Sequence, residues 1–586
     1  MKRTTLAVLM LALALVAVAA PMAFAQAPTP KVTINGLIDN LTSYARNVSQ
    51  YDGLLNRNDT QWYGRTRGRF DFIGEIGKAK GVLGIELDHV YGQTGSNDSS
   101  IANSGPTSGT VTNATAFGTD GGFDLNTDSR GIIEIKWLYV EFPLPLIPIP
   151  TTARLGAQPF GAASSYKLCV YTCSDFAGVN LTSQLTPNVK FLATFVQVQE
   201  SLTGIQPGKN NVLAGPVGIG GTGGGSFGSR ADVQNRGDDM AVILSAQVTP
   251  FKGLDLQPMV SWFYAQGTTD GNARQARGGI TVGGSNNIGG TAFSNPDGTF
   301  HGGLNENRYT VGLDTRFRMG PFSFDPTVMY QFGTRGTRSQ AAVGADNTVG
   351  GALLQSGAVP GRIYQSREDA WLVDFREGFQ LGPLLIEALQ VYSTGNSARN
   401  NQIGSNHNGT VRSFQPLTTD TGYLADWGTQ LTSLGLDYLS ALNEAGGRIA
   451  YPGVTIGWDK YGRGQLGVKA TYAITPALSI MANVNGHWTA EGVDRNCAPV
   501  AGAGCVPVYN QNNVGVFGSK HHDRSHFLGT EFASVVSWRF ADGLSWDNGI
   551  GYMIMGPAMD MLTDPSQGAR NSKDAFLGTS RVRLTF

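Results

Sequence analysis

The chain has 586 residues, 41% hydrophobic and only 15% charged, against about 25% charged in an ordinary soluble domain. Glycine accounts for 79 positions, roughly twice its usual share of about 7%. With 43 Lys and Arg against 44 Asp and Glu, the formal net charge is -1. This excludes a coiled coil, a charge-rich disordered chain and a global basic field that would attract nucleic acid.

The first segment reads as an address. Lys2 and Arg3 precede an apolar run over 6–20, and Ala23-Phe24-Ala25 forms an A-x-A cleavage site before Gln26. The expectation is a secretory signal peptide over 1–25, with a mature chain of 26–586. Beyond it no apolar run reaches the length of a membrane helix, so an exported chain is either a soluble β protein or a barrel whose spans alternate.

Period-2 patterning supports the barrel. Over 62–77, Trp62, Gly64, Phe70, Phe72 and Ile76 occupy one parity; Arg65, Arg67, Arg69, Asp71 and Glu75 occupy the other. After a turn at 77–81, Leu83, Ile85 and Leu87 alternate with Gly84, Glu86 and Asp88. Tyr309, Val311 and Leu313 alternate with Arg308 and Asp314, followed by Arg316 and Arg318, and the pattern recurs over 322–332, 478–488 and 531–540. Side chains of alternating parity face opposite sides of a sheet. Many of these runs are long enough for a tilted membrane span, and aromatics such as Trp62, Tyr63, Trp137, Tyr139, Trp262, Tyr264, Trp538 and Phe540 sit near their ends, as interfacial girdles do.

Connections alternate in length. Short turns fall at 77–81, 143–150, 186–188, 249–253, 319–321, 381–383, 475–476 and 541–543, with Thr-Pro at three of them. Between them lie long Gly-, Asn-, Ser- and Thr-rich segments at 93–128, 201–237, 267–305, 333–366 and 393–462. The expected fold is all-β: a transmembrane antiparallel up-and-down barrel of about 18 strands, with short periplasmic turns and long extracellular loops. The predicted strands are 31–47, 60–77, 81–92, 129–142, 151–160, 175–186, 188–200, 239–249, 254–266, 306–319, 322–333, 367–381, 384–393, 462–474, 477–489, 525–541, 544–556 and 573–586. The segment 393–462 could hide a hairpin, and 427–442 a short helix or an inward plug that constricts a pore.

The last strand alternates Phe576, Gly578, Ser580, Val582, Leu584 and Phe586. An amphipathic strand ending in Phe resembles the sorting signal of bacterial outer-membrane barrels and implies handling by a barrel-assembly machinery. Arg65-Thr66-Arg67-Gly68-Arg69-Phe70-Asp71-Phe72 is similar to an early strand of substrate-selective porins. The 137–142 strand with Arg154-Leu155-Gly156-Ala157-Gln158 resembles a hairpin of the same proteins. Leu528-Gly529-Thr530-Glu531 resembles the alginate-export family, which implies passage of an anionic polysaccharide through an arginine-lined pore. Here strand acids nearly balance strand arginines, which favours a less selective path.

The resulting expectation is an outer-membrane porin, a water-filled channel for small hydrophilic solutes. The alternatives are a polysaccharide exporter or the barrel of a larger surface assembly. Its pore-lining candidates are Arg65, Arg67, Arg69, Asp71, Glu86, Asp88, Asp314, Arg316 and Arg318, because a charge on the lipid face costs about 2–4 kcal/mol at mid-bilayer. Structural salt bridges across the wall are the competing role. Expected partners are outer-membrane lipid and lipopolysaccharide, with a homotrimer among the assemblies open to such a channel and no nucleic acid.

The sequence has no G-x-S-x-G with plausible partners, no HExxH and no CxxCH, so an enzyme is not expected. His521, His522 and His526 read as a solvated stretch before a strand. No cofactor or resident metal is expected beyond loop calcium at acids such as Asp420 and Asp426, which follow no EF-hand order. Cys169 with Cys173 and Cys497 with Cys505 form two local pairs, and in an oxidising compartment each is expected to close a disulfide.

Overall fold

The computed structural model describes residues 29–48, 60–90, 132–160, 170–172, 175–199, 239–265, 306–338, 363–395, 410–417, 427–432, 462–493, 497–500, 504–507, 525–560 and 573–586. Residues 1–25, expected to be a signal peptide, therefore lie outside the described residues, as do Cys169, Cys173, Asp420, Asp426, His521 and His522.

The strands in chain order are β1 (Lys31–Arg46), β2 (Thr60–Ile76), β3 (Ala79–Val90), β4 (Ile132–Pro143), β5 (Thr151–Pro159), β6 (Asp175–Thr186) and β7 (Val189–Gln199). They continue with β8 (Asp239–Phe251), β9 (Leu254–Ala265), β10 (Glu306–Met319), β11 (Phe322–Arg338), β12 (Ile363–Leu381), β13 (Leu384–Ser393) and β14 (Thr410–Val411). The last are β15 (Arg463–Thr475), β16 (Leu478–Val493), β17 (Cys497–Val500), β18 (Gly504–Pro507), β19 (Ser525–Ala541), β20 (Leu544–Met555) and β21 (Ala575–Thr585). One short helix, α1 (Pro557–Asp560), follows β20.

The main sheet has 19 strands, one of them the two-residue β14. The other 18 pair antiparallel with their neighbours around a complete circuit, β13 with β15 and β16 with β19, and β21 returns to β1. The chain is thus a closed 18-strand barrel whose strand positions match those expected from periodicity. Closure leaves no open edge, which a sheet in hydrocarbon requires. At the seam Leu37 pairs with Thr585, and Gly36 and Phe586 exchange backbone hydrogen bonds of 2.8 and 3.0 Å. The Phe586 ring lies over Gly36, beside Phe70.

The turns follow local chemistry. Gly320 and Gly382 adopt φ of 58° and 55°, a left-handed conformation that glycine takes without a Cβ clash. At two Thr-Pro turns the Thr hydroxyl caps the bend, accepting from Asn188 N at 3.3 Å and Ala477 N at 3.2 Å. At the third, Thr249 instead donates to Asp255 at 2.6 Å.

Alternation sorts the two faces. Val260, Val311, Val328, Ile480, Val484, Phe532 and Ile550 point outward and are exposed, while their strand neighbours Ser261, Thr310, Thr327, Asn483, Asn485 and Glu531 are buried within the barrel. An apolar outer belt around a closed sheet identifies a membrane-spanning barrel. Aromatic pairs flank the belt: Tyr330–Trp371 and Tyr44–Trp62 toward the loop side, Phe322–Phe379 and Trp538–Phe540 toward the turn side. Trp137 and Tyr139 depart from the expected girdle and face inward. The register shift at Gly84/Ile85 moves β4 out of phase, and Trp137 packs over the bare Gly84 backbone.

Burial also changes along the strands. β1, β10, β15 and β19 are each exposed near their short-turn ends and buried toward their long-loop ends. The interior is open on the turn side and filled on the loop side.

Candidate functional site: the inner wall and its straps

From β20 through β21 and β1 to β4 the inner wall is ionic. Arg581 reaches Asp547 at 2.8 Å and Arg583 reaches Asp39 at 2.8 Å. Glu86, 3% exposed, receives Arg67 at 3.3 Å, Arg69, and Lys136 at 3.9 Å. Lys136 also bonds Asp175 on β6 at 3.3 Å. Asp71 accepts the Trp137 indole N–H at 2.8 Å. Nearer the turn side, Glu141 holds Lys80 and Arg154, and Arg154 lies over the Tyr139 ring at 4.8 Å.

The sequence candidates divide into two groups. Arg65, Arg67, Arg69, Asp71 and Glu86 share this arc, with Arg65 buried at the filled end. The backbone of Asp88 pairs with Arg67, but its side chain is outside the described set. Asp314, Arg316 and Arg318 belong instead to β10. Asp314 accepts from Thr327 at 2.6 Å, while Arg318 pairs with Asp325 close to the turn. Asp314 and the β2 arginines thus stand eight strands apart round the 18-strand circuit, on different parts of the wall. Lys136, Arg581, Arg583, Asp39 and Asp547 join the ionic arc; they carry the same parity signal, Arg581 and Arg583 as an alternating pair and the others singly, without a run as long as 65–69.

From β7 to β13 the inner wall is different. Val196, Ile243, Met259, Phe263, Met329, Leu372, Leu389 and Val391 form an apolar cluster that also takes in Tyr171, Phe414, Leu417 and Trp427. The wall packs there against chain rather than water. Burial accordingly pushes the Tyr171 phenol up.

Two inward straps supply much of that chain. In residues 410–417, β14 pairs parallel with β12, and the Gln415 backbone is gripped by the side chain of Gln331. Gln331 Nε2 donates to Gln415 O at 2.6 Å, and Gln415 N donates to Gln331 Oε1 at 2.8 Å. Arg308, lying 4.6 Å over Phe263, donates to Gln415 Oε1 at 2.6 Å. Leu417 N donates to Tyr171 O at 2.8 Å. The second strap, 427–432, lies on the inner faces of β15, β16, β19 and β20. Lys469 sits 4.8 Å over Trp427, and Glu531 binds the backbone of Gln430, Leu431 and Thr432. An inward-folded segment within 393–462 is thus observed at these two stretches; neither is helical.

No protein-family model matches the sequence, and no curated protein matches it. Among solved structures, the chain is similar to Pseudomonas aeruginosa OccK8 (OprE) at 10% identity and TM-score 0.44, covering 95% of this chain and 98% of that one. It is also similar to a BenF-like porin from Pseudomonas fluorescens Pf-5 (10%, TM-score 0.43, 95% and 98%) and to OprD from P. aeruginosa (7%, TM-score 0.43, 96% and 95%).

Proposed function

We propose that the chain is a porin of the bacterial outer membrane, passing small hydrophilic solutes along the ionic arc from β20 to β4. The observation that carries this reading is a closed 18-strand barrel with an apolar outer belt, an inward ionic wall and an interior open toward the turns. The inner charges lie in cross-strand pairs of both signs, which suits passage of varied solutes better than a polyanion path. Purified protein in a planar lipid bilayer should give stepwise ohmic conductance; a silent barrel refutes the channel.

Lipid and lipopolysaccharide would contact the outer belt, and a barrel-assembly machinery would recognise the strand ending in Phe586. A homotrimer is testable by native mass spectrometry. We also keep both disulfides in the proposal. β17 and β18 form a separate hairpin in which Cys497 pairs with Pro507 and Pro499 with Cys505, two positions from direct register. Four free thiols after non-reducing isolation would remove that element.

A further inference from the structure

We infer that Glu531 is the positioning residue that latches the 427–432 strap onto the inner wall of β15, β16, β19 and β20, and that this strap, by taking up part of the lumen, sets how much solute passes. The inference rests on the channel reading. Glu531 is fully buried on the inner face of β19. Its Oε1 accepts from the backbone N–H groups of Gln430 and of Leu431, the latter at 2.9 Å. Its Oε2 accepts from Thr432 N at 3.1 Å and Thr432 Oγ1 at 2.6 Å. His487 Nε2 lies 3.2 Å from the same hydroxyl and 3.8 Å from the carboxylate.

Three consecutive N–H groups converging on one carboxylate need an acceptor with two oxygens. An amide at this position offers one acceptor and turns its own N–H donors toward donors.

The wall is shaped for the strap. A Cβ on Gly467 would lie 2.7 Å from the Trp427 ring, and one on Gly551 would lie 2.7 Å from Gln430 Cβ. Two glycines on separate strands thus leave a trough under the strap, and Leu431 is wholly buried. Gly428, at φ 91°, packs against Met481 and Asn483. Glu531 is the carboxylate in this contact, and it holds the strap through three backbone N–H groups and one side-chain hydroxyl, that of Thr432.

The test uses the full-length barrel in lipid. E531Q should raise single-channel conductance by roughly 1.5-fold or more, because a segment leaves the cross-section. A second readout is independent of conduction: a Leu431→Cys thiol should resist a bulky maleimide in the native background and react in the E531Q background. Heat-modifiable migration should show both barrels folded. Equal protection of position 431 in the two backgrounds overturns the latch. Exposure of position 431 with unchanged conductance overturns the strap as the controlling element. If no variant conducts while position 431 reacts only with E531Q, the latch stands and the channel reading falls. Gly551→Leu should reproduce the E531Q phenotype from the opposite side of the trough; a native phenotype there counts against the strap's seat.

Discussion

From β20 round to β4 the inner wall holds its shape by charge, whereas from β7 to β13 apolar packing joins the buried polar groups. In the first arc Glu86 gathers three cations and the Asp39–Arg583 pair crosses the seam between β1 and β21. In the second, Phe263, Met329 and Leu372 meet Phe414, Leu417 and Trp427 from the straps. The same barrel circuit therefore carries an arc joined mostly by buried cross-strand ion pairs and an arc in which pairs such as Glu306–Arg308 are set among packed apolar side chains. Ion pairs carry their own desolvation cost and contribute little net stability each, while buried apolar contacts contribute much. The two arcs should answer mutation differently.

The largest effect is expected in the packed arc. Phe263→Ala removes a buried ring beneath Arg308. Burying Phe typically contributes about 3–5 kcal/mol against truncation to Ala. The midpoint of heat-modifiable migration should fall sharply, and the 410–417 strap should loosen with the loss of the surface under Arg308. A midpoint unchanged within error would show that the second arc is not a core at all.

The sequence made the first arc legible and left the second obscure, for a physical reason. On β2, arginines at 65, 67 and 69 alternate with small or aromatic residues, so parity alone assigns the inner face. On β8, Ala241, Val242, Ile243 and Leu244 are apolar on both parities, because one face meets lipid and the other meets the straps. Periodicity vanishes where both faces are dry. The straps themselves have no strand pattern, and Glu531 reads along β19 as one more polar alternation. Its partners at 430–432 are remote in sequence, so nothing local reveals the contact. Trp137 has the parity and strand-end position of a girdle residue yet faces inward, because the β4 register shift cannot be seen in alternation.

Glu86→Gln sharpens the comparison from the ionic side. It removes the carboxylate that Arg67, Arg69 and Lys136 share. Stripping the partner from buried cations costs about 3 kcal/mol, reduced here because Lys136 keeps Asp175 and Arg69 is partly solvated. The clearer readout is electrical: reversal potentials in a salt gradient should shift toward anions. A shift toward cations contradicts the placement of Glu86 on the conducting wall.

A smaller change should follow at the first strap. Gln331→Ala leaves the backbone N–H and carbonyl of Gln415 without the side chain that grips both. Unpaired buried polar groups cost about 1–3 kcal/mol. Proteolysis within 410–417 should become faster while the barrel stays folded, because the lost contacts lie inside the lumen and not in the β10–β11–β12 ladder. Equal cleavage rates would mean that the β14–β12 pairing alone holds that strap.

The smallest effect belongs to Arg67→Ala, and it tests why the ionic arc tolerates change. Glu86 would still hold Arg69 and Lys136, so no buried carboxylate is stranded. The expected loss of stability is smaller than that of the Phe263 variant, because the buried carboxylate keeps two of its three cations. Selectivity should move only slightly toward cations. Fields from a single wall charge decay over a Debye length of about 8 Å in physiological salt, and the remaining wall alternates in sign from Asp547 and Arg581 through Arg583 and Asp39 to Arg69. Native barrels should accordingly show weak charge preference, and R67A barrels nearly the same. A near-ideal selectivity in the native channel, or its collapse on removing Arg67 alone, would mean that solute passes within a few ångströms of this arginine, and that the straps squeeze the path against the ionic arc.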